Sequence, residues 1–123
     1  EGFPGRYYGT DINPKAGYLL QAPYDEFGEI IYGDSITSLL KFDSTIDLFI
    51  NDSDHSIDYE MREFEAVKNK FSKNAIILGD NSHFSGKLVD FANQTDRDFL
   101  FFQEQPESHW YPGGGIGAAY RRH

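Results

Sequence analysis

The chain has 123 residues, 39% of them hydrophobic and 16% aromatic, a payload that excludes a disordered chain and suffices for one domain. It has no Cys, so disulfides and thiolate metal sites are excluded, and a cytoplasmic location is the default expectation. The formal charge of -9 is uneven, with 12 acids against 3 bases in residues 11–63 and 7 of each in residues 64–123, and this clustered acidic field speaks against a nucleic-acid partner.

Tyr7–Thr10 is the first of six short apolar runs bounded by turn residues, the pattern of strands covered on both faces. Asn13-Pro14 then reads as an N-cap followed by proline at the first helical position, which predicts a helical stretch ending at Pro23. Glu29–Tyr32 is the second strand, and Ser35 is placed to cap a short helix presenting Ile36, Leu39 and Leu40. After the third strand, Ile46–Ile50, the apolar residues Ile57, Met61, Phe64, Val67 and Phe71 recur at helical spacing and predict a helix over 57–71. Asp58, Glu60 and Glu63 near its start and Lys68 and Lys70 near its end suit the helix dipole. Ala75–Leu78 is the fourth strand, and Leu88, Phe91 and Ala92 mark a helix over 86–94. Phe99–Phe102 and Ile116–Tyr120 follow with no helical pattern between them, so they form an antiparallel pair at one edge. No apolar run approaches the ~20 residues of a bilayer span, and neither a leader nor a membrane partner is expected.

Alternating strands and helices imply an α/β fold with a mostly parallel sheet and a C-terminal antiparallel hairpin, in a single domain over 1–123. In such sheets ligands bind beyond the carboxyl ends of the strands. The residues that follow the first four strands are Thr10-Asp11-Ile12-Asn13, Gly33-Asp34-Ser35, Asn51-Asp52-Ser53-Asp54-His55 and Gly79-Asp80-Asn81-Ser82-His83. Each group holds an acid. Asp is common at helix caps, yet four acid-tipped strands in succession would repel one another unless a cation or a donor-rich ligand offset them. The expectation is that Asp11, Asp34, Asp52 and Asp80 gather around one crevice.

These turns, in this order and spacing, resemble the class I S-adenosylmethionine-dependent methyltransferases, and within them the metal-dependent small-molecule O-methyltransferase branch, over nearly the whole chain. The resemblance implies a Rossmann-like fold. It also implies that Asp11, with Asn13 beside it, holds the ribose hydroxyls of the cofactor, and that Asp34 with Ser35 meets the adenine. Asp52 is implied both in cofactor binding and, with Asp80 and Asn81, as a ligand of Mg²⁺ or another divalent cation. His55 occupies the place where relatives often carry a lysine base, and it becomes the candidate base for deprotonating a hydroxyl. His83 and His109 are further candidates for contact with a small-molecule acceptor.

The resemblance lacks one part. The family's first strand and its glycine-rich turn precede the acidic second strand, whereas only Glu1–Arg6 precede it here, and Gly113-Gly114-Gly115 falls in the final hairpin. In the family sheet that strand is central, so its loss implies an N-terminally truncated fold with unpaired edges, completed by another chain or by strand exchange within a homo-oligomer. Two other readings stand beside methyl transfer. A calcium loop over 52–63 fails because Ile57 stands where the sharp turn needs Gly. A non-catalytic scaffold or oligomerisation module remains the alternative. The aromatic tail, Phe99–Phe102 and His109-Trp110-Tyr111, is read first as packed edge and hairpin.

Overall fold

A computed structural model describes residues 5–54, 56–80, 82, 86–110 and 113–122, with only the backbone of Ile57. Contacts divide the chain into two units, Glu1–Phe42 and Asp43–His123. Among the described residues no helix is long and apolar enough to cross a membrane.

In the first unit, β1 (Tyr7–Asp11) and β2 (Gly28–Tyr32) run parallel, in register from Tyr7 against Gly28 to Asp11 against Tyr32. The helix expected after Asn13 does not form. The Asn13 amide instead donates to Asp11 Oδ1 at 2.7 Å and the Lys15 amide to Asn13 Oδ1 at 3.0 Å, so short polar side chains close turns that compete with a helix. Gly17, at φ +76°, then turns the chain against β2, where a Cβ would lie 2.5 Å from Ile30 Cγ1. A single 3-10 turn, Tyr24–Phe27, leads into β2. Helix α1 (Ser35–Lys41) buries Ile36 and Leu39, whereas Leu40, expected on the same face, is exposed. Its N-cap is Asp34 and not Ser35: Asp34 Oδ2 accepts from the Thr37 amide at 2.8 Å and from Thr37 Oγ1 at 2.7 Å.

The second unit holds β3 (Ile46–Asn51), α2 (Ile57–Val67), β4 (Phe71–Asp80), α3 (Lys87–Gln94), β5 (Asp98–Gln103) and β6 (Gly115–Tyr120). The strand order is β3-β4-β6-β5, with β3 parallel to β4 and β6 antiparallel to both of its neighbours. The expected C-terminal antiparallel pair is present, with β6 inserted between β4 and β5 and β5 at the edge. Helix α2 stops at Val67, and Phe71, four residues on and so in helical register, opens β4. The register between β3 and β4 shifts between Ile46 and Leu48. Phe64, Ile77, Leu88, Phe91, Ala92 and Ala119 form the core where α2 and α3 cover one face of the sheet, with the Phe64 and Phe91 rings stacked at 5.2 Å.

On the other face several apolar residues are exposed. Pairing places Leu48 beside Ile76, Leu100 beside Ala118 and Ile116 beside Phe102, and strand alternation sets these residues on the side away from Ile77 and Ala119. Leu48, Ile50, Ile76, Leu100, Phe102 and Ile116 are each between 46% and 61% exposed, so the expectation of strands covered on both faces fails here. In the aromatic tail Phe101, Phe102 and Trp110 are exposed, and among its described residues Phe99 packs against the core. Among the described residues β1 pairs only with β2, and β3 only with β4. Among the described residues β1 and β3 thus each have one edge without a paired strand.

Candidate functional site

Within the first unit, parallel pairing brings the ends of β1 and β2 to one side, and the acids with them. The Gly33 amide donates to the Asp11 carbonyl at 2.9 Å, which links the two strand ends directly. Asp11 is half-buried, and the Asn13 amide holds its Oδ1. Its Oδ2 has no hydrogen-bond partner among the described residues. A carboxylate fixed through one oxygen with the other available suits a ligand that presents hydroxyl donors. Asn13 spends its side-chain oxygen on the Lys15 amide, and Asp34 caps α1. Ser35 is the first residue of that helix.

Within the second unit, Asp52 follows the end of β3 and Asp80 is the last residue of β4. Asn51 pairs with Gly79, so the two acids occupy adjacent positions at neighbouring strand tips. Asp52 is exposed and Asp80 half-buried. The Ser56 amide donates to Asp54 Oδ1 at 2.7 Å in the turn that leads into α2. His55, Asn81 and His83 lie outside the described residues. His109 is exposed and stacks on Trp110 at 5.6 Å. Among the described residues no group of three or more His, Asp or Glu side chains is gathered for a metal. Asp52 and Asp80 carry oxygen donors of the type a hard divalent cation prefers, and the third expected ligand, Asn81, lies outside the described residues.

Sequence reasoning missed the buried carboxylates behind these tips. Glu60 and Glu63 are 3% and 2% exposed, although their positions in early α2 suggested solvated dipole partners. Glu63 Oε2 accepts from Asn51 Nδ2 at 2.5 Å and also from Ser53 Oγ. Glu60 Oε1 lies 3.8 Å from the position a Cβ on Gly79 would take. A signal was present: Glu60 is four residues before Phe64, and Glu63 four before Val67, so both share the face that those core residues bury. Ser82, also buried, donates through Oγ to the Gly79 carbonyl at 2.8 Å.

The structure thus belongs to the α/β class in which acids stand at the carboxyl ends of parallel strands. A family model described as a methyltransferase domain matches residues 1–82, more than half of the chain, and the chain belongs to that family. No curated protein sequence matches it. Among solved structures, it is similar to a protein from Staphylococcus aureus assigned as a caffeoyl-CoA O-methyltransferase, at 14% identity and a TM-score of 0.69 over 95% of this chain and 65% of that one. An rRNA methylase from Streptococcus thermophilus aligns at 13% identity and a TM-score of 0.62, over 94% of this chain and 73% of that one. The SAH-bound Podospora anserina methyltransferase PaMTH1 aligns at 15% identity and a TM-score of 0.59, over 98% of this chain and 62% of that one. The chain therefore spans about two thirds of the length of these structures. At such identities the likeness shows a shared Rossmann-like fold, as the strand turns implied.

Proposed function

We propose that this domain acts in S-adenosylmethionine-dependent methyl transfer to a hydroxyl oxygen of a small molecule. Its membership of the methyltransferase-domain family carries the proposal, because the matched segment, residues 1–82, contains all four acid-tipped strands. S-adenosylmethionine supplies an electrophilic methyl on a sulfonium sulfur. In this reading Asp11 accepts the ribose hydroxyls, with Asn13 holding the turn, while Asp34 and Ser35 meet the adenine and Asp52 adds to the cofactor contacts. Asp52, Asp80 and Asn81 hold a divalent cation such as Mg²⁺, which lowers the pKa of the acceptor hydroxyl. The acceptor oxygen attacks the methyl carbon, the carbon–sulfur bond breaks with its electron pair left on sulfur, and His55 takes the hydroxyl proton. Calorimetric titration with S-adenosylhomocysteine, with and without Mg²⁺, tests the reading. Binding that weakens at least tenfold in Asp11→Asn, at an unchanged unfolding midpoint, supports it; binding indifferent to Asp11 removes the nucleoside role.

Among the described residues, the strand edges left unpaired and the exposed apolar residues of the second unit's sheet favour a second reading for the assembly. Here a further strand, from another chain or from a second copy, completes the sheet, and the domain serves as an oligomerising scaffold whether or not it turns over. No S-adenosylhomocysteine binding together with concentration-dependent association in sedimentation velocity would favour the scaffold over the enzyme.

A further inference from the structure

At the other end of the second unit's sheet, where β4 and β5 begin and β6 ends, lies an open cavity of about 400 Å³ lined by Lys68, Asn69, Phe71, Gln94, Thr95, Asp96, Arg97 and Arg121. With roughly 3.3 Å per residue along the ten residues of β4, it stands up to about 30 Å from Asp80. The chain sets Arg97 there by a defined route. Helix α3 ends with Asp96 in the left-handed region, at φ 54°, and the Arg97 amide reaches back to the Ala92 carbonyl at 2.9 Å, the six-to-one bond of a Schellman ending. The Arg97 guanidinium lies 5.5 Å from the Phe71 ring centroid and donates through Nη1 to the Ala75 carbonyl at 2.8 Å.

What this cation lacks is an anion. Among the described residues neither Arg97 nor Arg121 has a carboxylate partner, and Arg97 Nε is sealed from solvent without an acceptor. Burial, and then the Arg121 guanidinium, push the Arg97 pKa below its usual value, which marks two like charges close together in a partly dry site. Lys68 adds a third cation, tied to Glu65, and Asp96 is the one acid in the lining. In a chain with 20 acids and 11 bases, two neighbouring arginines left without carboxylates are an arrangement that an external anion would relieve. With Lys68 already countered by Glu65, the two arginines outweigh Asp96 and leave the lining net positive, which suits an anion. Guanidinium forks suit tetrahedral oxyanions, and the Asn69 and Gln94 amides add neutral donors.

We propose that this cavity binds a phosphate group, taken as free inorganic phosphate or as the phosphomonoester of a small metabolite. Within the second unit the cavity lies at the opposite end of the sheet from Asp52 and Asp80, and it holds or fails independently of the methyl-transfer reading. Phosphorus-31 NMR line broadening and calorimetry with inorganic phosphate, against sodium chloride at equal ionic strength, provide the test. The expected result is saturable binding that weakens about tenfold in Arg121→Gln, where one charge-assisted contact is lost. Asp96→Asn, which removes the repelling acid, should tighten it severalfold. Far-UV circular dichroism confirms that both variants fold. A parallel titration with glycerol phosphate separates the sources: tighter binding than inorganic phosphate assigns the site to a phosphomonoester, weaker binding to the free ion. The proposal is overturned by absence of saturation in the unmodified protein, by identical phosphate binding in both variants, or by binding of a single-stranded oligoribonucleotide while neither small phosphate binds.

Discussion

Asn51 donates its side-chain amide to Glu63 Oε2 at 2.5 Å, joining the last residue of β3 to α2 through a carboxylate that is 2% exposed. Ser53 Oγ gives the same oxygen a second donor. A buried carboxylate is tolerated when donors replace its water, and here they also fix the backbone that precedes and follows Asp52. Glu63→Ala strands the buried Asn51 amide and should cost about 2–3 kcal/mol in urea unfolding. Glu63→Gln keeps the volume and one acceptor oxygen and should cost about half as much. Equal, negligible losses for both would mean that the carboxylate does not anchor the β3 tip.

Two glycines allow the Ser82 side chain to sit under the neighbouring strand tips. A Cβ on Gly79 would stand 2.5 Å from Ser82 Oγ and 3.1 Å from Leu88 Cδ2, and one on Gly117 would stand 2.7 Å from Ser82 Cβ. Gly117→Ala is therefore expected to destabilise by about 1–3 kcal/mol through overpacking. Adding Ser82→Gly to it should restore part of that loss. A double variant no more stable than Gly117→Ala would show that the clash lies with Phe99, 2.8 Å away on the other side, and not with Ser82.

The strands were legible because each is an apolar run closed by turn residues, and the acids at their ends could be located from the residue order alone. Three features were not legible, each for a local reason. Asn13-Pro14 carries a helix-start signal, but Gly17 turns the chain onto Ile30 and the Asp11 and Asn13 side chains capture amides that a helix would need. Phe71 continues the helical spacing from Val67, yet it enters the sheet opposite Ile46, because side-chain spacing alone does not tell the last turn of a helix from the first residue of a strand. Glu60 and Glu63 look like solvated charges until Asn51 and Ser53, distant in sequence, are seen to meet one of them. What a sequence cannot show is whether separate strand pairs join, and here the acids of β1 and β2, and those of β3 and β4, each come to one end of their own sheet.

Asp34 separates two roles that the sequence superimposes. As the N-cap of α1 it accepts from both the amide and the hydroxyl of Thr37, so Asp34→Ala should cost about 1 kcal/mol of stability through loss of the cap. Asp34→Ser keeps an oxygen for the cap while removing the carboxylate. If Asp34 also meets the adenine, Asp34→Ser should retain most of the stability and still weaken S-adenosylhomocysteine binding severalfold in calorimetry. Retention of both stability and binding would leave Asp34 a cap alone.

Ile50 is 61% exposed on β3, a strand that pairs on one side only among the described residues. An apolar strand with an open edge is a template for another chain, and natural proteins block such edges with lysine. Replacing Ile50 by Lys places a charge among the exposed apolar residues of that face and at the strand edge left unpaired among the described residues, while the core under α2 and α3 is untouched because Phe49, not Ile50, packs against it. The monomer should keep its unfolding free energy within about 0.5 kcal/mol, the range of exposed substitutions. Association should fall: sedimentation velocity over a hundredfold concentration range is expected to show a concentration-dependent species in the unmodified protein and a monomer in Ile50→Lys. The comparison depends on the face as well as the edge, so Leu100→Lys, on the same face but on β5, serves as the second arm. Loss of association in both variants assigns the contact to the apolar face, and loss in Ile50→Lys alone assigns it to strand pairing at β3. An unmodified protein that stays monomeric throughout would remove the oligomer reading.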